Sequence, residues 1–138
     1  MKPAFFDKAT ILLIAPERAA TYRLDRVLGG AGYQCLACHN EGDAQRAALE
    51  QRVDLLICDV HLEEEDGREV CRRLKRHEQF AEAGLIFLSA SQSVDIVRRS
   101  FGRESVYFLR QPVDSQLLLE LVDRALWMPH SARQRVTV

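Results

Sequence analysis

Asp59 is the residue of this 138-residue chain best placed to do chemistry. It closes the run Asp54–Asp59 (DLLICD), apolar between its two carboxylates, and an acidic, glycine-closed loop follows it (VHLEEEDG, residues 60–67). A short apolar run with polar ends suits a strand buried on both faces, as in a parallel sheet. In open α/β sheets ligands bind outside the carboxyl ends of the strands. The pattern therefore predicts Asp59 at the floor of a crevice, where a carboxylate can act as a nucleophile. A second set of reactive residue types is Cys35-Leu36-Ala37-Cys38-His39, which matches the C-x-x-C-H pattern of covalent haem attachment. Cys35, Cys38, His39 and Cys71 also have the residue types of a zinc site, although Cys71 adds only one ligand to the first cluster. Against both stands the predicted position of the pair within a strand, where cysteine packs as a small hydrophobe. Cys58 is expected to point to the sheet face opposite Asp59 and to pack in the core.

The elements that must position these residues alternate in type. Thr10–Ala15 (TILLIA) reads as a first buried strand, with a helix opening at Pro16-Glu17 and ending at Gly29-Gly30. Tyr22, Val27 and Leu28 are its expected inward residues. Tyr33–Cys38 is a second strand, and Asn40–Arg52 a helix whose Ala44, Ala47 and Ala48 suit close packing. After the Asp54–Asp59 strand, a helix starts at Asp66 or Gly67, with Val70, Cys71 and Leu74 on its inner face. Arg72, Arg73, Lys75 and Arg76 cover its outer face, as a solvated surface or as a dock for phosphate or an acidic partner. Leu85–Ser89 is a fourth strand, Ser91 or Ser93 caps a helix running through Phe101, and Ser105–Arg110 is a fifth strand. The last helix spans Ser115–Leu126, with Leu118, Leu121, Val122 and Ala125 on one stripe. Five strands alternating with helices predict an α/β fold: a five-stranded parallel sheet with helices on both faces and right-handed crossovers. Residues 1–128 form the domain, and residues 129–138, opened by Pro129, read as a C-terminal linker or tail.

Composition narrows the function classes. Hydrophobic content of 47% and charged content of 28% suit a globular domain, and a net charge of −1 gives no field for nucleic acid or an anionic membrane. No apolar run approaches the ~18 residues of a membrane span. The N-terminus lacks the apolar core of a secretory signal, so a cytoplasmic location and reduced cysteines are expected. Haem attachment, which needs export, fits poorly with that location. A flavin-binding domain of similar strand order would need a Ser/Thr/Gly-rich phosphate loop after the first strand, and APERAATYR (residues 15–23) is not one.

The order of elements and the residues at the strand ends resemble the receiver domain of two-component response regulators, a flavodoxin-like (βα)5 fold. The resemblance covers about residues 9–127 and is most specific over DLLICDVHLEEEDGREVCRRLK. It implies that Asp59 holds the place of the phosphoacceptor, that Ser89 supplies the hydroxyl that bonds the phosphoryl group, and that Phe108 is the switch aromatic. Gln111-Pro112 stands where the family has lysine-proline, usually joined by a cis bond. Two departures accompany these matches. Ala15-Pro16 replaces the family's acidic pair, and Gln111 replaces its lysine.

Phosphoryl transfer to a carboxylate gathers negative oxygens, and catalysis consists mainly of neutralising them in place. Magnesium wants oxygen ligands. The candidates left here are Asp59, the backbone carbonyl of His61, and Glu17, which the preceding proline restrains. A single pair of opposite charges at ~4 Å is worth roughly 4 kcal/mol at an effective dielectric of about 20, and each ~1.4 kcal/mol is a factor of ten. Losing both features implies phosphorylation slowed by orders of magnitude. The resemblance thus implies an atypical receiver, a signalling module rather than an enzyme, with weak or absent magnesium binding and signalling by protein contact. The alternative is a receiver that still accepts phosphoryl on Asp59 from a histidine kinase. Receivers commonly signal through the face of the fourth helix, fifth strand and fifth helix. Here that face would carry Arg98, Arg99, Phe101, Tyr107, Glu120 and Arg124, for a kinase, an output domain or a second copy of the chain.

Overall fold

The computed structural model describes residues 9–49, 51–90 and 106–137, with side chains as far as residue 126. Five strands form one sheet: β1 (Thr10–Ile14), β2 (Gln34–Cys38), β3 (Leu55–Asp59), β4 (Gly84–Ser89) and β5 (Val106–Arg110). Their spatial order is β2-β1-β3-β4-β5 and every pair is parallel. The four described helices are α1 (Arg18–Gly30), α2 (Glu41–Ala47), α3 (Gly67–Leu74) and a C-terminal helix (Ser115–Thr137). The predicted helix through Phe101 falls outside the described residues.

The apolar runs become the centre of the sheet because both of their faces are covered. β1 and β3 are buried along their whole length, as the near-continuous hydrophobic pattern of a parallel sheet requires. Alternation then divides the core in two. Leu12, Ile14, Leu56, Cys58 and Phe87 meet Val70, Cys71 and Leu74 of α3 and Ala44 of α2. Ile11, Leu13, Leu55, Ile57 and Ile86 meet Leu24 and Leu28 of α1 and Leu118, Val122 and Ala125 of the C-terminal helix.

Several details differ from the sequence reading. Of the expected inward residues of α1, Leu28 is buried and Val27 packs partly buried, but Tyr22 is 62% exposed, and Thr21 and Leu24 complete the inner face. The helix begins at Arg18, with Glu17 as an extended N-cap whose side chain makes no cap hydrogen bond. It runs through Gly29 and Gly30, and the chain turns at Gly32, which has φ 99°. That conformation favours a residue without Cβ. α2 stops at Ala47, several residues before Arg52, because the chain must return for Asp54 N–H to donate to Thr10 O and Val53 N–H to Gln79 O. The C-terminal helix continues through Pro129 to Thr137, where the sequence pattern suggests a linker or tail. Proline removes one intrahelical hydrogen bond and disfavours a helix interior without forbidding it.

Candidate functional site

The carboxyl ends of β1, β3, β4 and β5 converge on Asp59. Asp59 is 9% exposed, and the structure provides a donor for each of its oxygens. The His61 amide donates to Oδ1 (2.9 Å), and the Gln111 side-chain amide donates through Nε2 to Oδ2 (3.2 Å). A carboxylate this shielded from water is costly unless hydrogen-bonded, and here both bonds come from the protein.

Each bond depends on a local fold. The loop after β3 folds back as a tight turn, with Leu62 N–H on Glu65 O and a single antiparallel bridge between His61 and Asp66. The Gly67 amide then donates to Val60 O at 2.7 Å. A Cβ on Gly67 would overlap the Asp59 carbonyl oxygen and come within 3.0 Å of Cys58 Sγ, so this return needs glycine. Asp66 caps α3: its carboxylate accepts from Arg68 N–H (2.9 Å) and, on both oxygens, from the Arg68 guanidinium. The Arg68 guanidinium, more than any other group, holds the Asp66 carboxyl below its ordinary range. On the other side of the site, Gln111 N–H donates to Ser89 O at 3.0 Å, and the Gln111–Pro112 bond is cis. Ser89 ends β4, half-buried. Phe108, three residues before Gln111, packs half-buried against the α2/α3 side of the core.

Ala15 and Pro16, just after β1, have a different surrounding. Ala15 is buried, its N–H donates to Cys38 O, and its carbonyl lies 2.9 Å from His39 Nδ1. Pro16 lines a groove of about 320 Å³ together with His39, Asn40, Glu41 and the Leu62–Glu65 loop. Glu17 is exposed. Among the described residues no three His, Cys, Asp or Glu side chains gather as a metal site. The rim of the groove is tied by Arg73, which pairs with Glu41 (2.7 Å) and Glu65 (2.5 Å). The basic face of α3 is thus largely engaged: Arg72 pairs with Glu69, and Lys75 Nζ donates to Ala83 O.

The structure separates the cysteines of the C-x-x-C-H pattern. An odd spacing on a strand sends Cys35 to the α1 side and Cys38 to the α2 side, so the two thiols cannot converge on one iron or zinc. Cys71 packs on the α2/α3 side beside Cys58, away from Cys35. All four cysteines are free thiols. Burial pushes the Cys35 thiol up to about 12 and the Cys38 thiol up to about 11, which makes both poor ligands and poor nucleophiles near neutral pH. Cys58 is pushed well above its usual value by its contact with the Cys71 thiol and by burial.

The Asp59–Gln111 contact joins residues 52 apart, so no local pattern in the sequence announces it. Only the resemblance points to it. The Arg73 bridge escapes the sequence altogether: a run of basic residues says nothing of the carboxylates that another element brings to it.

Comparison with known proteins defines the class. The profile of the response regulator receiver domain matches residues 11–123, and the chain belongs to that family. Receivers are signalling modules of two-component systems rather than enzymes. The chain is 33% identical over 82 residues to the transcriptional regulatory protein GltR of Pseudomonas aeruginosa, covering 59% of this chain and 34% of that protein. It is 22% identical over 120 residues to the DNA-binding transcriptional regulator NtrC of Proteus hauseri, covering 87% and 25%. The chain therefore spans only about a quarter to a third of these relatives. Among solved structures it is similar to the signal receiver domain of an HD domain-containing protein from Pseudomonas fluorescens Pf-5, with TM-score 0.77, 25% identity and coverage of 90% and 98%. It is also similar to the receiver domain of the hybrid histidine kinase CckA, with TM-score 0.70, 27% identity and coverage of 86% and 99%.

Proposed function

We propose that this receiver signals through protein contacts, with phosphorylation of Asp59 weak or absent. The observation that carries the reading is the neutral Gln111 amide on Asp59 Oδ2. An amide donates a hydrogen bond but brings no positive charge to an incoming phosphoryl group. Ala15 and Pro16 add to the deficit, since a buried methyl and a proline offer no side-chain oxygen to magnesium. Asp59 and the His61 carbonyl remain, with Glu17 exposed at the start of α1, and this donor set does not suit the ion. Asp59 then serves mainly as a buried acceptor that joins β3 to the turn after β5. Ser89 and Phe108 keep the phosphoryl-bonding and switch positions without a phosphoryl group to read. Residues 1–128 constitute the receiver, working in the cytoplasm.

The partner is a protein: a histidine kinase, an output domain or a second copy. The docking face would include Tyr107, Glu120 and Arg124, with Arg98, Arg99 and Phe101, which lie outside the described residues. A magnesium titration followed through the amide resonances of His61 and Gln111 tests the metal half of this reading. The signals should not move in a saturable way. Saturable shifts that vanish in Asp59→Asn would restore a working magnesium site.

A further inference from the structure

We propose that β2 pairs antiparallel with β2 of a second copy of this chain, joining two five-stranded sheets across a twofold axis at Leu36. Among the described residues β2 borders a strand on one side only. Its inner bonds are fixed by the register with β1: Gln34 N–H donates to Ala9 O, and Cys38 O accepts from Ala15 N–H. With a period of two, Gln34, Leu36 and Cys38 face β1, and Cys35 and Ala37 turn their N–H and C=O groups outward.

Those outward groups are self-complementary. Placing Leu36 opposite Leu36 of the second copy sets each Cys35 opposite an Ala37. The two Cys35–Ala37 pairs then exchange four backbone hydrogen bonds, the pattern of hydrogen-bonded pairs in an antiparallel ladder. Nothing in β2 opposes this pairing. The strand reads QCLAC, with no charge, proline or glycine, the devices that usually blunt an exposed edge. The opposite edge, β5, ends on exposed Arg110 with Pro112 just beyond. β2 is also the least covered strand of the sheet, with Gln34 and Ala37 exposed, whereas β1 and β3 are fully buried.

A second copy suits the edge better than a charged foreign strand, because QCLAC set on itself brings no charge into the seam. A charged strand would lose hydration there with no opposite charge on β2 to meet it. The flank agrees. α1 borders this edge, and Asp25 on it bonds the Cys35 thiol. One helical turn from Asp25 stands Tyr22, the most exposed aromatic side chain described, with Arg26 over its ring. The flank thus offers both charge signs and an apolar ring to its symmetry mate. This contact is independent of phosphorylation and leaves the β5 side free for another partner.

Analytical ultracentrifugation over a wide concentration range tests the proposal, with Ala37→Lys and Ala37→Pro as variants. Ala37 is exposed and its N–H faces away from β1, so both changes spare the sheet. Circular dichroism of each variant should match the parent chain. The parent should move reversibly from the mass of one chain to that of two as concentration rises. Both variants should stay at one, and amide exchange at Cys35 and Ala37 should slow with concentration only in the parent. A parent that stays monomeric throughout, or a dimer that survives both substitutions, would overturn the proposal.

Discussion

At the scale of single residues, Asp59 and Gly67 make opposite demands on the same few ångströms. Asp59 brings a carboxylate into a site where water reaches little of it, and His61 N–H and Gln111 Nε2 supply its hydrogen bonds. Asp59→Ala removes the acceptor of two partly shielded donors, and a typical intramolecular hydrogen bond is worth about 0.5–1.5 kcal/mol. Urea unfolding should show a loss in that range, with Asp59→Asn losing less because its amide oxygen still accepts. An unchanged midpoint for Asp59→Ala would remove the structural role given to this carboxylate. Gly67 demands the absence of a side chain. Gly67→Ala drives a methyl into the Asp59 carbonyl and against Cys58 Sγ, and forced overpacking costs about 1–3 kcal/mol, more where backbone must move. Gly29→Ala is the matched control, since nothing lies within 4 Å of its added Cβ. In a helix that change should stabilise by roughly 0.5–1 kcal/mol. Calorimetry on the two variants should give melting-temperature shifts of opposite sign.

At the scale of elements, short segments are held at their ends by named groups. α3 has eight residues and depends on Asp66, which caps it and grips Arg68. Asp66→Ala should cost about 1 kcal/mol for the cap. The sign with pH follows from the carboxyl being held low by Arg68. Its contribution is present above the ordinary carboxylate range near 3.9 and fades as acid protonates it. The loss in Asp66→Ala should therefore be full at neutral pH and shrink toward strongly acidic pH. β2 carries the opposite dependence. Cys35 and Cys38 are pushed up from 9.0, to about 12 and about 11. Below 9 both folded and unfolded thiols are neutral and nothing is lost; above 9 the unfolded thiols ionise first and draw the equilibrium toward unfolding. Stability measured by urea titration should fall between about pH 9 and 12, and Cys35→Ala with Cys38→Ala should flatten that fall.

The strands are legible in the sequence because burial on both faces forces an unbroken apolar run, and TILLI, LLICD and GLIFLS are such runs. The ends of helices are less legible. The stop of α2 at Ala47 answers to where β3 must start, and the outward turn of Tyr22 answers to Thr21 and Leu24 filling the inner face. The first is not encoded within its own segment, and the second depends on which of the helix's faces meets the sheet. Asp59 stands out because it ends an apolar strand, whereas Ser89, Phe108 and Gln111 come into view only through the family resemblance. Arg73's grip on Glu41 and Glu65 is legible in neither way, because its partners come from two other elements.

At the scale of the whole molecule, one sheet carries two kinds of surface. Its carboxyl ends hold Asp59 and the neutral Gln111 amide that donates to it, beside a groove rimmed by Glu41 and the Glu63–Glu65 loop. Its β2 edge offers uncharged backbone to a second copy. A receiver arranged in this way would answer to the concentration and identity of its partners more than to the phosphoryl state of Asp59. Intact mass after incubation with a small acyl phosphate donor and magnesium tests this claim most directly, with Asp59→Asn alongside. The account predicts the same unmodified mass for both proteins, each still folded. A phosphate adduct that requires both magnesium and Asp59 would contradict it and return this receiver to the phosphorylated class.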